Sequence, residues 1–255
     1  MEVEIYLNKS VDENAGNYFD KAKKAKAKLE GAHKALTESK KKLAQLELEK
    51  DKFEVEEEKK QKKLARKKEW YEKFHWFISS EGYLCIGGKD ATSNDIIIKK
   101  HLDKEDLVFH TEMPGSPFFI IKDGQNAGEA TKQEAAQATA AYSRAWRNGL
   151  GTAEVYSIGP DQVKKEMGLP KGTFMIYGKR EYYQPRLELA IGLVGEEIIG
   201  GPVNAVKEKT DNFVTIIAGP GKKSEIAKKI LKKFGARDLD DISKFTPSGG
   251  ASFKK

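Results

Sequence analysis

The sequence has a single cysteine, Cys85, and no apolar run long enough to span a membrane. One cysteine excludes an intramolecular disulfide and a cysteine-based zinc site, and is typical of a chain kept in a reducing compartment. A membrane span needs roughly 18 to 20 consecutive apolar residues, and residues 1–4 do not begin a signal peptide. We therefore expect a cytoplasmic protein that makes no contact with a membrane.

Residues suited to catalysis are also scarce. The four histidines have no metal-ligand spacing, and no serine is flanked by glycines as in a nucleophile elbow. Residues 219–224 read Gly-Pro-Gly-Lys-Lys-Ser, but a phosphate-binding P-loop would need glycine in place of Ile216. We expect no enzymatic activity, metal or cofactor. The lysines after Gly221 either receive an RNA phosphate at a helix N-terminus or are ordinary solvated side chains.

The net charge of +7 is distributed unevenly along the chain. Residues 21–68 contain 18 lysines and arginines against 9 acidic residues, a net of +9, so the remaining residues sum to −2. Basic blocks of this kind bind phosphates or an acidic surface, or form a solvated helix face. The positive excess therefore belongs to one segment.

That segment is predicted to be a long helix. Val3, Ile5 and Leu7 alternate with polar residues as in a short strand, and Ser10 with Glu13 forms a capping-box pattern. A helix should therefore begin at Val11, and no proline interrupts it as far as the aromatic block. A repeat of seven is typical of a coiled coil, and it selects Val11, Ala15, Tyr18, Ala22, Ala25, Leu29, Ala32, Leu36, Ser39, Leu43, Leu46, Lys50, Phe53, Glu57, Lys60, Leu64, Lys67, Tyr71 and Phe74.

Such a helix would be on the order of 90 Å long, and Gly31 would be tolerated within it. Its apolar positions would pair in a homodimer, with an upstream helix, or with a binding partner. A solvent-spanning spacer is the alternative. Both the paired helix and the spacer are consistent with the sequence.

Residues 70–77 contain five aromatics, and the segment ends at the glycine pair Gly87 and Gly88. Aromatics among polar groups are typical of RNA-binding surfaces, but the i, i+4 spacing of Trp70 and Phe74 on a helix end favours core packing for most of them. Cys85 is expected in the core. Thr131 is predicted to cap a helix over 132–147, and a helix over 93–101 to be capped near Ser93 or Asn94.

Strands and helices do not alternate strictly, so we predict an α+β fold with a mixed sheet after the coiled coil. Strands are predicted near residues 82–87, 107–110, 117–122, 155–158, 173–177, 187–191 and 212–218. A basic amphipathic helix should follow Gly221. We predict a coiled-coil arm over 1–74, a globular domain over 75–195 and a small extension over 196–255.

Basic side chains at strand ends and turns can reach a polyanion more easily than core aromatics can. The predicted RNA-binding residues are Lys89, Asp90, Asn94, Lys99, Lys100, His110, Lys122, Lys179 and Arg180.

Residues 77–90 read Phe-Ile-Ser-Ser-x-x-Tyr-Leu-x-Ile-Gly-Gly-Lys-Asp, and 94–100 read Asn-Asp-Ile-Ile-Ile-Lys-Lys. These motifs closely resemble the RNA-binding domain of the NFACT family, which includes NEMF in animals and RqcH in bacteria. The resemblance continues through Ala141-Tyr-Ser-x-Ala-Trp146 and Gly172-Thr-Phe-Met-Ile-x-Gly-Lys179, and covers roughly residues 3–190.

The resemblance implies a ribosome quality control factor. Such factors bind the large ribosomal subunit and its rRNA after stalled ribosomes split, hold tRNA there and promote untemplated tailing of the nascent chain, while the ribosome does the chemistry. The family's amino-terminal domain and helix-hairpin-helix segment are absent, so complete tailing activity is not expected. Pro114-Gly115 stands where the family often reads His-Gly, and the loop 164–171 is shortened, so the resemblance implies no RNA contacts at these two places.

Two other functions compete with RNA binding. In the first, the coiled coil is a scaffold that recruits a ubiquitin ligase or another quality-control protein. In the second, suggested by the fibronectin-binding label of some relatives, the protein is an adhesin. The missing signal peptide argues against export.

Overall fold

The computed structural model describes residues 4–65, 69–235 and 238–254, with the side chains of 47–65 left aside. The chain divides into two compact units, Met1–Lys68 and Glu69–Lys255. Helix α1 (Val11–Ala65) forms most of the first unit. Its 55 residues give a length of about 80 Å at 1.5 Å per residue.

The predicted start of α1 is confirmed in atomic detail. The Glu13 carboxylate accepts the Ser10 amide at 2.8 Å, and the Ser10 hydroxyl accepts the Glu13 amide at 3.2 Å. The strand predicted around Ile5 and Leu7 is wrong, and Val3 lies outside the described residues. The Asn14 side chain bonds the Tyr6 backbone through both its oxygen and its nitrogen, so this segment folds back onto the helix start.

Side chains at the apolar heptad positions of α1 as far as Leu46 are open to solvent within this unit. Leu29, Leu36, Leu43 and Leu46 are between 53% and 60% exposed. The helix does continue through Gly31 as predicted. The heptad does not extend to Tyr71 and Phe74, because residues 70–73 form a 3₁₀ helix and Phe74 ends it.

The second unit contains a six-stranded sheet in the order β1-β2-β4-β3-β5-β8. Its strands are β1 (His75–Ile78), β2 (Leu84–Gly87), β3 (Leu107–His110), β4 (Phe119–Ile121), β5 (Val155–Ile158) and β8 (Glu181–Tyr183). The α+β class is confirmed. The mixed sheet is wrong, because every pairing in this sheet is antiparallel. Short connections such as the one joining β1 to β2 permit antiparallel pairing alone, since parallel neighbours need a long crossover.

Both faces of this sheet are buried. Cys85, Phe109 and Phe119 point into one apolar cluster, and Ile86, Val108 and Ile120 into the other. The run of apolar residues in each strand follows from burial on two sides. Core positions are confirmed for Cys85, Phe74 and Phe77, whereas Trp70 is 43% exposed and stacks on His101.

Two helices depart from their predicted limits. The predicted helix over 132–147 is two helices, α3 (Glu129–Ala141) and α4 (Arg144–Arg147), and Gly128 rather than Thr131 precedes the first. The Thr131 amide donates instead to the Glu81 carboxylate at 3.1 Å. Helix α2 (Ala91–Ile96) is capped by Asp90 and continues as a π-helical turn, Ile97–His101. Asp90 rather than Ser93 is therefore the cap.

A small ladder follows β5, formed by β6 (Val163–Lys164) and β7 (Met175–Ile176). A second antiparallel sheet has the order β10-β9-β11-β12. Its elements, with their helices, are β9 (Glu188–Val194), β10 (Glu197–Gly201), α5 (Val203–Lys207), β11 (Phe213–Gly221), α6 (Lys223–Phe234), α7 (Leu239–Ser243) and β12 (Ala251–Phe253).

This second sheet joins strands from both sides of residue 195. Leu189 and Ile216 share one apolar cluster with Phe77 of the first sheet. The domain limits at 74 and 195 stay predictions.

Candidate nucleic-acid interface

A groove of about 390 Å³ opens on the second unit. Its walls come from the loop between β2 and α2, the β3–β4 connection, the end of α3 and the loop 171–174. Four of the predicted RNA-binding residues line it: Lys89, Asp90, Asn94 and His110. The groove therefore brings together four predicted RNA-binding residues that are up to 21 positions apart in the sequence.

Asn94 holds the groove floor together. Its side-chain oxygen accepts the Phe118 amide at 3.1 Å, and its nitrogen donates to the Ser116 carbonyl at 3.4 Å. Gly88 lies so close that a Cβ there would be 1.9 Å from the Asn94 oxygen. The second glycine of the pair is thus required by this side chain, and Asn94 shapes the groove from a buried position.

Asp90 also has a structural task. Its carboxylate accepts the Ser93 amide at 2.7 Å, and this bond holds the pKa of Asp90 below its usual range. The Ser93 hydroxyl in turn accepts the amides of Lys89 and Asp90, each at 2.8 Å. These bonds fix the backbone that carries the Lys89 side chain into the groove.

His110 supplies a flat surface rather than a charge. Its ring stacks on Phe118 with centroids 3.9 Å apart, and its Nδ1 donates to the Pro117 carbonyl at 2.8 Å. Burial lowers the pKa of His110 to about 4. The ring is therefore neutral at physiological pH and cannot neutralise a phosphate.

Cationic side chains surround the opening. Lys89 is exposed and Lys171 lines the groove from the facing loop. Burial, followed by the charge of Lys244, lowers the pKa of Lys89. The Arg144 guanidinium covers Gly115, where a Cβ would fall 2.7 Å from Nε. A basic rim around a neutral aromatic wall suits a nucleotide, whose base stacks while its phosphate pairs with cations.

The matching family model describes the NFACT protein RNA binding domain, and it matches residues 73–178. The chain belongs to the NFACT family. All the residues that line the groove fall within this NFACT segment.

Relatives of known name agree with this assignment. The chain is 37% identical over 207 residues to the archaeal Rqc2 homolog aRqcH of Methanocaldococcus jannaschii, a match that covers 76% of this chain and 31% of the relative. It is 35% identical to the ribosome quality control complex subunit NEMF homolog of Drosophila melanogaster, over 75% of this chain and 20% of the relative. It is 36% identical to the ribosome quality control complex subunit NEMF of Homo sapiens, over 68% of this chain and 16% of the relative. The chain thus spans less than a third of the length of these relatives.

The other predicted site residues of this NFACT chain lie outside the groove. Lys122 is held by Asp103 and Asp106, both at 2.6 Å, and by the His101 carbonyl at 2.8 Å. Its pKa is raised, because these bonds outweigh the effect of burial. Lys122 is therefore committed to an internal ion cluster.

Four more predicted cations sit on neighbouring surfaces. Lys99 pairs with Asp95 at 2.7 Å, and Lys100 beside it is exposed. Arg180 pairs with Glu112 and lies 4.6 Å above the Tyr156 ring, and Lys179 is exposed. These side chains do not line the groove.

Two groove residues, Tyr142 and Lys171, were missed by sequence reasoning, and so was Arg144, which covers Gly115 at the groove. Lys171 directly precedes the Gly172-Thr-Phe-Met motif, which was the available signal. Gly172 packs against the Ala91 backbone, and its amide donates to Asp95 at 3.2 Å, which brings Lys171 to the groove. Tyr142 and Arg144 lie at the break between α3 and α4, within the motif Ala141-Tyr-Ser-x-Ala-Trp146, which was the available signal for them.

Within the described ranges, no helix is long and apolar enough to cross a membrane. The same ranges contain no cluster of three or more histidine, cysteine or acidic residues suited to a metal ion.

Proposed function

We propose that the second unit binds an unpaired segment of RNA in the groove, as the RNA-binding module of a ribosome-associated quality control factor. The RNA is tRNA or the rRNA of the large ribosomal subunit, and the setting is the cytoplasm. The observation that carries the proposal is the groove itself, a cationic rim around a neutral aromatic wall inside the NFACT RNA-binding segment. The module positions RNA and is not an enzyme.

Each part of the groove has a role in this proposal. Lys89, Lys171 and Arg144 pair with phosphates, and the His110 ring offers a surface to a base. Stacking of one base on an aromatic ring contributes about 1–3 kcal/mol. Since stacking tolerates any base, the affinity should depend weakly on the RNA sequence. Since the cations pair with phosphates, the affinity should fall steeply with increasing salt.

The test compares charge reversals of the full chain. Lys89→Glu combined with Lys171→Glu should weaken tRNA binding by about tenfold or more at low salt and flatten the salt dependence. The control, Lys104→Glu with Lys207→Glu, changes the net charge equally on exposed residues away from the groove. Equal affinity of the two double variants would reject the groove as the RNA site.

We further propose that α1 associates with a protein through its exposed leucines. Leu29, Leu36 and Leu43 recur every seven residues and are all more than half exposed, as in a coiled-coil strand that lacks its partner. A second copy of the chain, or a quality-control protein such as a ubiquitin ligase, would cover them. Leu36→Asp should abolish a dimer measured by sedimentation equilibrium; a wild-type monomer points to the second partner class.

A further inference from the structure

Helix α6 lies outside the segment that matches the NFACT RNA-binding domain, yet it is the most basic element of the second unit. One side of the helix packs Ile226, Ala227, Ile230 and Phe234 into the core. The opposite side and the residue before the helix carry exposed lysines: Lys222, Lys228, Lys229, Lys232 and Lys233. Counting Lys223, residues 222–234 hold six lysines and one glutamate, a net charge of +5.

The charges on this face repel one another. Lys228 and Lys232 are one turn apart, as are Lys229 and Lys233, so like charges are neighbours along the helix. Among the described ion pairs, none includes a lysine of α6. The face runs for about 16 Å at 1.5 Å per residue. A polyanion bound along it would relieve the repulsion.

The first turn of α6 is held next to the groove wall by contacts of the buried residues Phe245 and Thr246. Tyr142 lines the groove, and its hydroxyl donates to the Phe245 carbonyl at 3.0 Å. On the next residue, the Thr246 carbonyl accepts Lys223 Nζ at 2.8 Å. A path of direct contacts thus leads from the groove wall to the first turn of α6.

Three lysines accompany this path. Lys89 comes from the groove, Lys244 from the end of α7 and Lys223 from α6. Burial and then the charge of Lys89 lower the pKa of Lys223, so the two ammonium groups are close enough to repel each other. The carboxylates that face these lysines are Asp90 beside Lys89 and Asp241, which lies 3.5 Å from Lys244 Nζ. Three cations against two acids leave the path positive.

We propose that the exposed lysine face of α6, together with Lys223 and Lys244, is a second phosphate-binding surface, over which the RNA strand leaving the groove continues. This inference rests on the proposed function of the groove. The contacts are to the sugar-phosphate backbone, because lysines on one helix face present point charges and read no base edges.

RNA fits this face better than a membrane does. An amphipathic helix binds a bilayer by inserting its apolar side, and the apolar side of α6 is buried in the protein core. An acidic protein would satisfy the charge, but the path of contacts leads to a groove inside the RNA-binding segment. RNA is therefore the partner that accounts for both the charge and the position.

The test separates the two surfaces by the length of RNA. Full-length protein is titrated with a labelled unstructured RNA of about 4 nucleotides, enough for the groove, and with one of about 20 nucleotides. The variant Lys228→Gln/Lys229→Gln/Lys232→Gln should bind the long RNA about tenfold more weakly at low salt, with a salt slope smaller by about 2. It should bind the short RNA as the wild type does.

The control variant Lys73→Gln/Lys104→Gln/Lys207→Gln removes the same charge from exposed positions elsewhere that belong neither to the groove nor to the predicted RNA-binding set. Folding is checked by thermal unfolding, where the α6 variant should match or exceed the wild type because the like-charge pairs are gone. If both triple variants bind the long RNA equally, the α6 surface is overturned. It is also overturned if the α6 variant loses binding only to anionic vesicles or to an acidic peptide.

Failure of the groove has a different signature. In that case the wild type does not bind the short RNA, and Lys89→Glu/Lys171→Glu has no effect on either length. Loss of long-RNA binding in the α6 variant alone, with short-RNA binding intact, supports both surfaces.

Discussion

Gly88 and Asn94 are in such close contact that any side chain at position 88 would force Asn94 to move. A Cβ there would lie 1.9 Å from the Asn94 side-chain oxygen and 3.0 Å from the Asn94 amide nitrogen. That oxygen accepts the Phe118 amide, so the contact connects the loop between β2 and α2 to the segment that directly precedes β4.

Replacing Gly88→Ala should therefore displace Asn94 and leave the buried Phe118 amide without its acceptor. A buried unsatisfied group costs about 1–3 kcal/mol, and the free energy of unfolding, measured by urea denaturation, should fall by that amount. RNA affinity should fall as well. Gly151→Ala is the matched control, since a Cβ there meets nothing within 4 Å; equal stability of the two variants would contradict this account.

The parts of the fold that could be predicted are those fixed by residues close together in the sequence. The start of α1 was predictable because Ser10 and Glu13 cap it from three residues apart. The start of α3 was not predictable, because the carboxylate that accepts the Thr131 amide belongs to Glu81, 50 residues away in the sequence. Strands were found from apolar runs, but the exclusively antiparallel pairing depends on contacts that those runs do not encode.

The site shows the same division. Lys89, Asp90 and Asn94 are close in sequence, and all three line the groove. Lys122 looked equally free in the sequence, yet Asp103 and Asp106 hold it from 19 and 16 residues away. Arg144 reaches Gly115 across 29 residues through a helix break. Sequence reasoning names the residue types but not which cations remain available.

Lys122→Met tests the assignment of Lys122 to an internal ion cluster. The Asp106 side chain has no exposed surface, so removing its partner leaves a buried charge, which costs about 3–5 kcal/mol. We expect a much lower unfolding free energy and unchanged RNA affinity of the folded protein. Adding Asp106→Asn should recover part of the stability, and a variant that stays stable but loses RNA binding would make Lys122 a contact residue instead.

Two buried histidines predict a dependence of stability on pH. Burial lowers the pKa of His75 to about 3 and that of His110 to about 4, from an ordinary 6.5. The unfolded chain therefore takes up protons at these sites below about pH 6.5 while the folded chain does not, and stability falls as pH decreases. The His110 contribution should level off near pH 4, and the His75 contribution near pH 3.

His75→Phe separates the two contributions. The ring of His75 stacks on Tyr142 at 3.9 Å, and its Nδ1 is buried without a hydrogen-bond partner among the described residues. Phenylalanine keeps the stacking and removes the unpaired nitrogen, so the variant should be more stable by about 1–2 kcal/mol at pH 5 and lose less stability with acid. Urea denaturation from pH 7 to pH 4 measures this. The exposed His33→Gln on α1 is the control, and a wild-type slope in His75→Phe would refute the prediction.

Arg144 and Arg147 offer a matched pair on one helix, since α4 presents both guanidinium groups to solvent. Arg144 covers Gly115 at the groove, whereas Arg147 contacts Ser248 at 3.4 Å. Arg144→Gln should weaken RNA binding by about fivefold, equivalent to about 1 kcal/mol, because one phosphate partner is lost at the rim. Arg147→Gln should leave it within twofold. Fluorescence anisotropy at several salt concentrations distinguishes the variants: an equal loss in both would mean that net charge, and not the position of Arg144 over the groove, governs binding.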